Sequence, residues 1–204
     1  MKTYIWTTLT AASVLALAAC GPKTENATDS AMNSSANALS AAGNATSNAI
    51  DDAAHAITPT PTGKEFADEA AKSDAFEIAA AKIAATNAAS PGVKEFATMM
   101  IAAHMESTAK VKKAAASAEP AITPDATLTK NQNDDLAELK ALTGAKFDEE
   151  YIDGQVDAHQ DALSLMEKYA KDGTVATLKT AAAEIAPNVQ KHLDKAKALD
   201  KKQD

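Results

Sequence analysis

Three histidines and one glutamate occupy the apolar stripes of four predicted long helices, one on each helix. In chain order they are Glu77, His104, His159 and His192. Imidazole nitrogens and carboxylate oxygens are suitable ligands for Fe, Zn, Cu or Mn ions, and such ligands commonly meet in the core of a helical bundle. The residue types therefore favour a metal site, provided that the helices bring the four side chains to one level.

The number of residues between a side chain and the hairpin turn predicts its level along the bundle. The first turn is expected to be centred between residues 90 and 91, and both Glu77 and His104 are 13.5 residues from that point. At a rise of about 1.5 Å per residue, both side chains lie roughly 20 Å from the turn. The sequence therefore predicts a direct contact between Glu77 and His104.

The second hairpin gives unequal levels for its two histidines. Its expected centre lies between residues 172 and 173, so that His159 is 13.5 and His192 is 19.5 residues away. The difference corresponds to an axial gap of about 9 Å, and Asp153 rather than His159 would lie level with His192. These levels favour two separate polar pairs over one four-ligand cluster.

Two interpretations of the four side chains remain open. One is a metal site. The other is a buried polar set in which His and Glu satisfy each other by hydrogen bonds and specify the bundle. Di-iron bundles carry Glu-x-x-His on two helices, and this motif does not occur in the sequence. Its absence favours the second interpretation.

No catalytic or organic-cofactor motif accompanies these residues. The sequence contains no Gly-x-Ser-x-Gly, no phosphate-binding loop and no dinucleotide fingerprint. All 20 basic residues are Lys, and the net charge is -8. Without Arg and with this negative charge, a nucleic-acid partner is not expected. The sequence favours a binding protein over an enzyme.

The elements that would position these residues are helices. Ala supplies roughly a quarter of the chain, a composition that favours helix, and no alternating β-branched stretch occurs. Caps, prolines and glycines delimit four long helices and one short one. Two hairpins joined by a longer crossover predict an all-α, ferritin-like four-helix bundle over residues 64–204. The predicted helices are 63–89 after a Thr62–Glu65 capping box, 91–119 capped by Ser90, 128–142 in the crossover, 145–171, and 174–199 capped by Thr174 and kinked at Pro187.

Other acidic side chains are expected on solvated faces. Those at 148–150 begin a predicted helix, where they complement the positive end of its dipole. Glu106, Asp157 and Asp161 each lie two residues from a histidine, a spacing that directs them away from the apolar stripes. These carboxylates are therefore predicted to stay outside the core.

The N-terminus has the pattern of a bacterial lipoprotein signal. Lys2 precedes a short apolar stretch, and Leu17-Ala18-Ala19-Cys20 contains the only cysteine. Because the stretch is too short to span a bilayer, residues 1–19 are predicted to be a cleaved signal peptide, with acyl chains such as palmitate on Cys20. Gly21 favours the outer membrane by analogy with Gram-negative sorting. An ordinary signal peptide with an incidental cysteine is the alternative.

Residues 20–63 are predicted to form a disordered tether after the lipidated cysteine. They consist mainly of Ala, Ser, Asn and Thr, with too few large apolar groups to offset the entropy of ordering. A flexible chain of this length reaches roughly 35–40 Å. The tether would hold the helical domain away from the membrane, with His55 as a solvated linker residue.

Several separated segments of the helical domain resemble one bacterial family. They are residues 66–77, 90–97, 100–104, 147–159 and 192–193. In that order they resemble the exported family known as domain of unknown function 4142, whose members are often described as outer-membrane proteins and are similar to ferritins in fold. The resemblance covers about residues 64–199 and implies a ferritin-like bundle without an established activity. The residue before the second-helix histidine, commonly acidic in the family, is Ala103 here.

Together these features predict an envelope lipoprotein that presents a ferritin-like domain in the periplasm, with a role in binding, stress tolerance or envelope maintenance. The alternative is a metal-binding or metal-dependent redox protein that uses the four core side chains. A third hypothesis is a scaffold that binds a basic envelope protein through its acidic face.

Overall fold

The computed structural model of the chain describes residues 59–201. The predictions on residues 1–19, Cys20, His55 and the tether up to residue 58 lie outside this range. Among the described residues there are five helices and no strand, and no helix is both long and apolar enough to cross a membrane. The helices are α1 (Gly63–Asn87), α2 (Pro91–Ala116), α3 (Lys130–Ala141), α4 (Ala145–Asp172) and α5 (Ala176–Asp200).

The prediction of an all-α bundle with a short helix in the crossover is confirmed. Helices α1 and α2 form one hairpin, and α4 and α5 form the other. The crossover brings the start of α4 beside the α1–α2 turn, where the Gly144 amide donates to the Asn87 carbonyl over 2.9 Å. At the same end, Lys195 of α5 forms an ion pair with Glu95 of α2. Each long helix therefore runs antiparallel to its neighbours in the bundle.

Capping residues begin two of the five helices. The Thr62–Glu65 capping box at the start of α1 is confirmed, because each side chain bonds the other residue's backbone amide. A second box, Thr129 with Gln132, begins α3. Its Thr-x-x-Gln pattern is readable in the sequence but was not part of the prediction.

Of two further predicted caps, Ser90 is confirmed only in its position and Thr174 is wrong. Ser90 occupies the N-cap of α2, but its side chain makes no capping hydrogen bond. The N-cap of α5 is Val175 instead of Thr174. Val175 packs against an apolar cluster, so burial of its side chain rather than a side-chain hydrogen bond positions the start of α5. Helix α5 then continues through Pro187.

Apolar burial forms two clusters at opposite ends of the bundle. The cluster near the α1–α2 turn, here the turn-end cluster, contains Phe96, Tyr151 and Ile152 among its members. The cluster near the start of α1, here the far-end cluster, is organised around Phe66, whose ring stacks on Tyr169 with centroids 3.9 Å apart. Because the two clusters share no residue, the middle of the core is filled by something else.

Asp148 joins the second hairpin to the first. Its side chain is 5% exposed and accepts hydrogen bonds from the backbone amides of Ala89 at 3.0 Å and Ser90 at 2.8 Å. The expectation of a solvated carboxylate is therefore wrong for Asp148, whereas Glu149 and Glu150 are exposed. The reason is tertiary, since the crossover brings this helix start against the α1–α2 turn.

Replacing Asp148 with Ala is expected to lower the free energy of unfolding by about 2–3 kcal/mol, because two amides of the α1–α2 turn lose a charged acceptor. Urea denaturation monitored by circular dichroism measures the change. Glu149→Ala is the matched control and should shift the free energy by less than about 0.5 kcal/mol. Equal effects of the two variants would contradict a specific role for Asp148.

Candidate metal centre

A polar layer fills the middle of the core, between the turn-end and far-end clusters. Each long helix contributes to it, and most of the layer is buried. Buried polar groups are costly unless they are paired, which makes this layer the most expensive part of the core. Its members are Asp74 and Glu77 from α1, His104 from α2, Gln155 and His159 from α4, and the half-buried His192 from α5.

Three imidazole rings meet inside this layer. The ring centroids are 5.7 Å apart for His104 and His159, 6.0 Å for His104 and His192, and 5.5 Å for His159 and His192. One potential ligand nitrogen from each ring lies within 4.8 Å of the other two. Within residues 59–201, no other group of His, Cys, Asp or Glu forms such a triplet.

The lengths of the two turns explain why the rings meet. The turn between α4 and α5 comprises residues 173–175, so its centre is residue 174 rather than the point between 172 and 173. His159 lies 15 residues before this centre and His192 lies 18 after it, which reduces the axial gap to about 4.5 Å. The prediction of two separate polar pairs is therefore wrong. Asp153 instead lies near Asp200.

The observed centre of the α1–α2 turn also differs from the predicted one. Its turn comprises residues 88–90, and from the central residue 89 both Asp74 and His104 are 15 residues away. Asp74 is therefore the residue level with His104, and its Oδ1 lies 2.8 Å from His104 Nδ1. The predicted direct contact between Glu77 and His104 is replaced by this pair.

Asp74 is itself held in place. Its second carboxylate oxygen accepts a hydrogen bond from the Thr108 hydroxyl at 2.9 Å. Because a carboxylate only accepts, His104 carries its proton on Nδ1 and its Nε2 points elsewhere. Burial by itself lowers the pKa of His104, but the hydrogen bond to Asp74 and the charges of Glu77 and Asp74 outweigh it and raise the pKa.

Gln155 fixes the second ring and also binds Glu77. Its backbone carbonyl accepts a hydrogen bond from His159 Nδ1 at 2.9 Å, and its side-chain amide donates to Glu77 Oε2 at 2.5 Å. Glu77 therefore lies beside the imidazole cluster without belonging to the triplet. Burial raises the pKa of Glu77, although the charge of His104 and the bond to Gln155 oppose the shift.

The cluster leaves one nitrogen unpaired on each ring. His104 Nε2, His159 Nε2 and His192 Nδ1 are buried and have no hydrogen-bond partner within residues 59–201. In His104 and His159 the other nitrogen is the one bonded to the protein. This is the arrangement of a metal-binding imidazole, in which one nitrogen binds the ion while an outer partner orients the ring through the other. The three histidines therefore fit a metal ion.

The charge states of two rings suit this chemistry. Burial lowers the pKa of His159 to about 4, with a further contribution from the charge of His104. Burial lowers the pKa of His192 to about 4 as well, assisted by the charges of His159 and His104. Both rings are therefore neutral at pH 7 and can offer a lone pair to a cation.

Sequence reasoning found four members of the layer and missed Asp74 and Gln155. Both could have been found from helical spacing, because Asp74 lies three residues before Glu77 and Gln155 lies four before His159. The predicted exposure of Glu106, Asp157 and Asp161 is confirmed. Whether Glu77, His104, His159 and His192 bind a metal stays a prediction.

Comparison with known proteins gives a family and a fold. The sequence model of the family described as "Domain of unknown function (DUF4142)" matches residues 48–199, which is most of the chain. The chain belongs to the DUF4142 family. No curated protein matches it. This DUF4142 domain is similar in fold to a solved structure described as "CopM in the Cu(I)-bound form", with a TM-score of 0.56, 16% sequence identity, and coverage of 68% of this chain and 94% of that chain.

Lowering the pH is expected to destabilise the metal-free protein through His159. An unfolded histidine has a pKa near 6.5, whereas folding lowers the pKa of His159 to about 4. The unfolded state therefore takes up a proton first, and the free energy of unfolding falls as the pH decreases from about 6.5 to 4. Denaturant titrations in chelator at pH 7 and pH 5 should show a smaller loss for His159→Gln than for the wild type.

His55→Gln is the control for that measurement. It removes the one histidine that lies outside the described residues, and it should leave the pH dependence of the wild type unchanged. Equal pH dependence in the wild type and His159→Gln would contradict the lowered pKa of His159.

Proposed function

We propose that this DUF4142 domain binds a transition-metal ion through His104 Nε2, His159 Nε2 and His192 Nδ1. The observation that carries the proposal is the meeting of three imidazole rings from three different helices. One potential ligand nitrogen of each ring lies within 4.8 Å of the other two, and each ring has a buried nitrogen with no hydrogen-bond partner among the described residues. Leaving such atoms unpaired costs about 1–3 kcal/mol each, and a bound ion would remove that cost.

The donor set favours copper among the candidate metals. Three imidazoles suit Cu and Zn, whereas Mn prefers oxygen ligands and a non-haem iron site uses two histidines with a carboxylate. Glu77 is outside the triplet, so the carboxylate of such an iron site is not supplied by the cluster. The affinity order of divalent ions places Cu above Zn for a given site. The Cu(I)-bound form of CopM, which shares the fold, supports the same choice.

The outer partners supply the rigidity that such a site needs. Asp74 orients His104, and the Gln155 carbonyl orients His159. Three ligands leave a coordination position for water or an exogenous ligand. We propose binding of the ion as the role of the site.

We further propose that the domain is presented in the periplasm by a lipid on Cys20, in the outer membrane. The support is the N-terminal sequence, in which a short apolar stretch ends in small residues before the only cysteine. The tether would let the domain bind metal ions in the periplasmic space. A role in stress tolerance or envelope maintenance through metal binding follows from this location.

Full-length protein purified without a His tag is expected to bind about one copper ion per chain, and binding at 100 times the dissociation constant should add about 2.7 kcal/mol to the free energy of unfolding. Equilibrium dialysis with elemental analysis measures the stoichiometry, and thermal unfolding measures the stabilisation. His159→Gln should weaken binding by more than about 100-fold, since loss of an outer partner alone costs roughly 10- to 100-fold.

Two further variants make this test specific. His55→Gln should bind copper like the wild type, and Asp74→Asn should weaken binding by the smaller factor of roughly 10- to 100-fold. If the wild type binds no metal while His159→Gln is merely less stable, the layer serves only to specify the bundle. If zinc binds in preference to copper, the site stands but the assignment of the ion is wrong.

Cys20→Ser is expected to abolish acylation and release the protein from the membrane fraction. Metabolic labelling with palmitate, followed by fractionation, measures both effects. Gly21→Asp is the companion variant, which should remain acylated but move from the outer to the inner membrane. If the wild type itself takes up no palmitate and is recovered outside the membrane fraction, the alternative of an ordinary signal peptide with an incidental cysteine is favoured.

A further inference from the structure

A cleft of about 910 Å³ connects the polar layer with solvent. Its deep part is lined by Glu77, His104 and His192, and its outer part by the exposed side chains Glu69 of α1 and Asp161 of α4. Among the deep residues, Glu77 is 1% and His104 is 7% exposed, and each has a buried polar atom without a partner. The cleft thus leads from the surface to unpaired polar atoms of the proposed metal site.

The size of the cleft exceeds what one bare ion requires. A water molecule occupies about 30 Å³ in the liquid, so a cation with its hydration shell would fill only part of this volume. This volume leaves room for an ion that keeps some of its waters. His104 and His192 belong to the lining of the cleft.

The charge of the cleft is strongly negative. Its lining includes eight carboxyl groups and only two lysines. Both lysines are already paired, Lys72 with Asp125 and Lys110 with Glu106. A cleft lined by one sign of charge focuses the electric field and raises the local concentration of the opposite ion. The lining therefore attracts cations and repels metal held in anionic complexes.

Glu69 and Asp161 form an acidic pair at the outer part of the cleft. They come from α1 and α4, and the two side chains are close enough to influence each other. Partial burial raises the pKa of Glu69, and the charges of Asp161 and Glu65 raise it further. This mutual repulsion is relieved when a cation lies between the two carboxylates.

We infer that this cleft is the route by which hydrated metal cations reach the three histidines, and that Glu69 and Asp161 draw them in. The inference rests on the proposed function, since it assigns a path to the same site. Glu69 and Asp161 attract the ion but are not ligands in the final site. The metal arrives as a hydrated cation rather than as an anionic complex.

Stopped-flow mixing of full-length, metal-free protein with aqueous Cu(II) in a non-coordinating buffer tests the route, with quenching of tyrosine fluorescence as the signal. The double variant Glu69→Gln/Asp161→Asn should slow association by roughly 3- to 10-fold at low salt and flatten its dependence on salt. Glu149→Gln/Glu184→Gln is the control, because it removes the same charge from exposed residues that do not line the cleft. The control should associate like the wild type.

A second variant tests the path by obstruction. Ala162 is half-buried and lines the cleft, so Ala162→Phe should narrow it. Because a narrowed path hinders movement in both directions, association and dissociation should slow by the same factor and leave the dissociation constant unchanged.

The possible results distinguish a failure of the proposed route from a failure of the proposed metal site. If copper binds but both cleft variants associate like the wild type, or if the charge control slows association equally, the route is wrong and the metal site stands. If dialysis finds no metal on the wild type, both the site and its route are overturned. Slowed, salt-insensitive association in Glu69→Gln/Asp161→Asn alone supports the route.

Discussion

The meeting of three imidazole rings in the middle of the bundle, two of them buried and one half-buried, is the constraint on which this structure depends. The rings lie between the turn-end and far-end clusters, which share no residue. Each cluster therefore has to stabilise its own end of the bundle. Phe66 stacked on Tyr169 and the aromatic contacts of Tyr151 supply large buried surfaces at the two ends. The middle of the core is stabilised by the hydrogen bonds of the polar layer, and a bound ion at the unpaired nitrogens would stabilise it further.

The polar layer also links the two hairpins. Asp74 reaches from α1 to His104 on α2, and Gln155 reaches from α4 to Glu77 on α1. The complete triplet requires His104 from the first hairpin together with His159 and His192 from the second. It exists only when the hairpins are assembled, as they are when Asp148 binds the α1–α2 turn. Binding of an ion at this site would consequently be coupled to the stability of the whole bundle.

Family and fold alone leave the role of the domain open, since the DUF4142 description names no activity and 16% identity to CopM establishes only a shared fold. The chemistry of the site narrows the role. His159 and His192, which are neutral at pH 7, can offer lone pairs, and the cleft lined by His104 and His192 also carries eight carboxyl groups. Donor type, charge and access thus agree on a cation, which is the basis for proposing metal binding.

The sequence by itself determined the fold class, the limits of the long helices to within a few residues, and the presence of Glu77, His104 and His159 in the core. These properties follow from local signals: helix propensity, capping residues and the spacing of apolar side chains. Only the tertiary structure decided which polar residues meet. The observed turn between α4 and α5 is centred at residue 174 rather than between residues 172 and 173, and this shift halves the axial gap between His159 and His192 to about 4.5 Å. Each residue adds about 1.5 Å along a helix. A shift of the turn centre by one or two residues therefore decides whether the side chains form one cluster of ligands or two unrelated pairs.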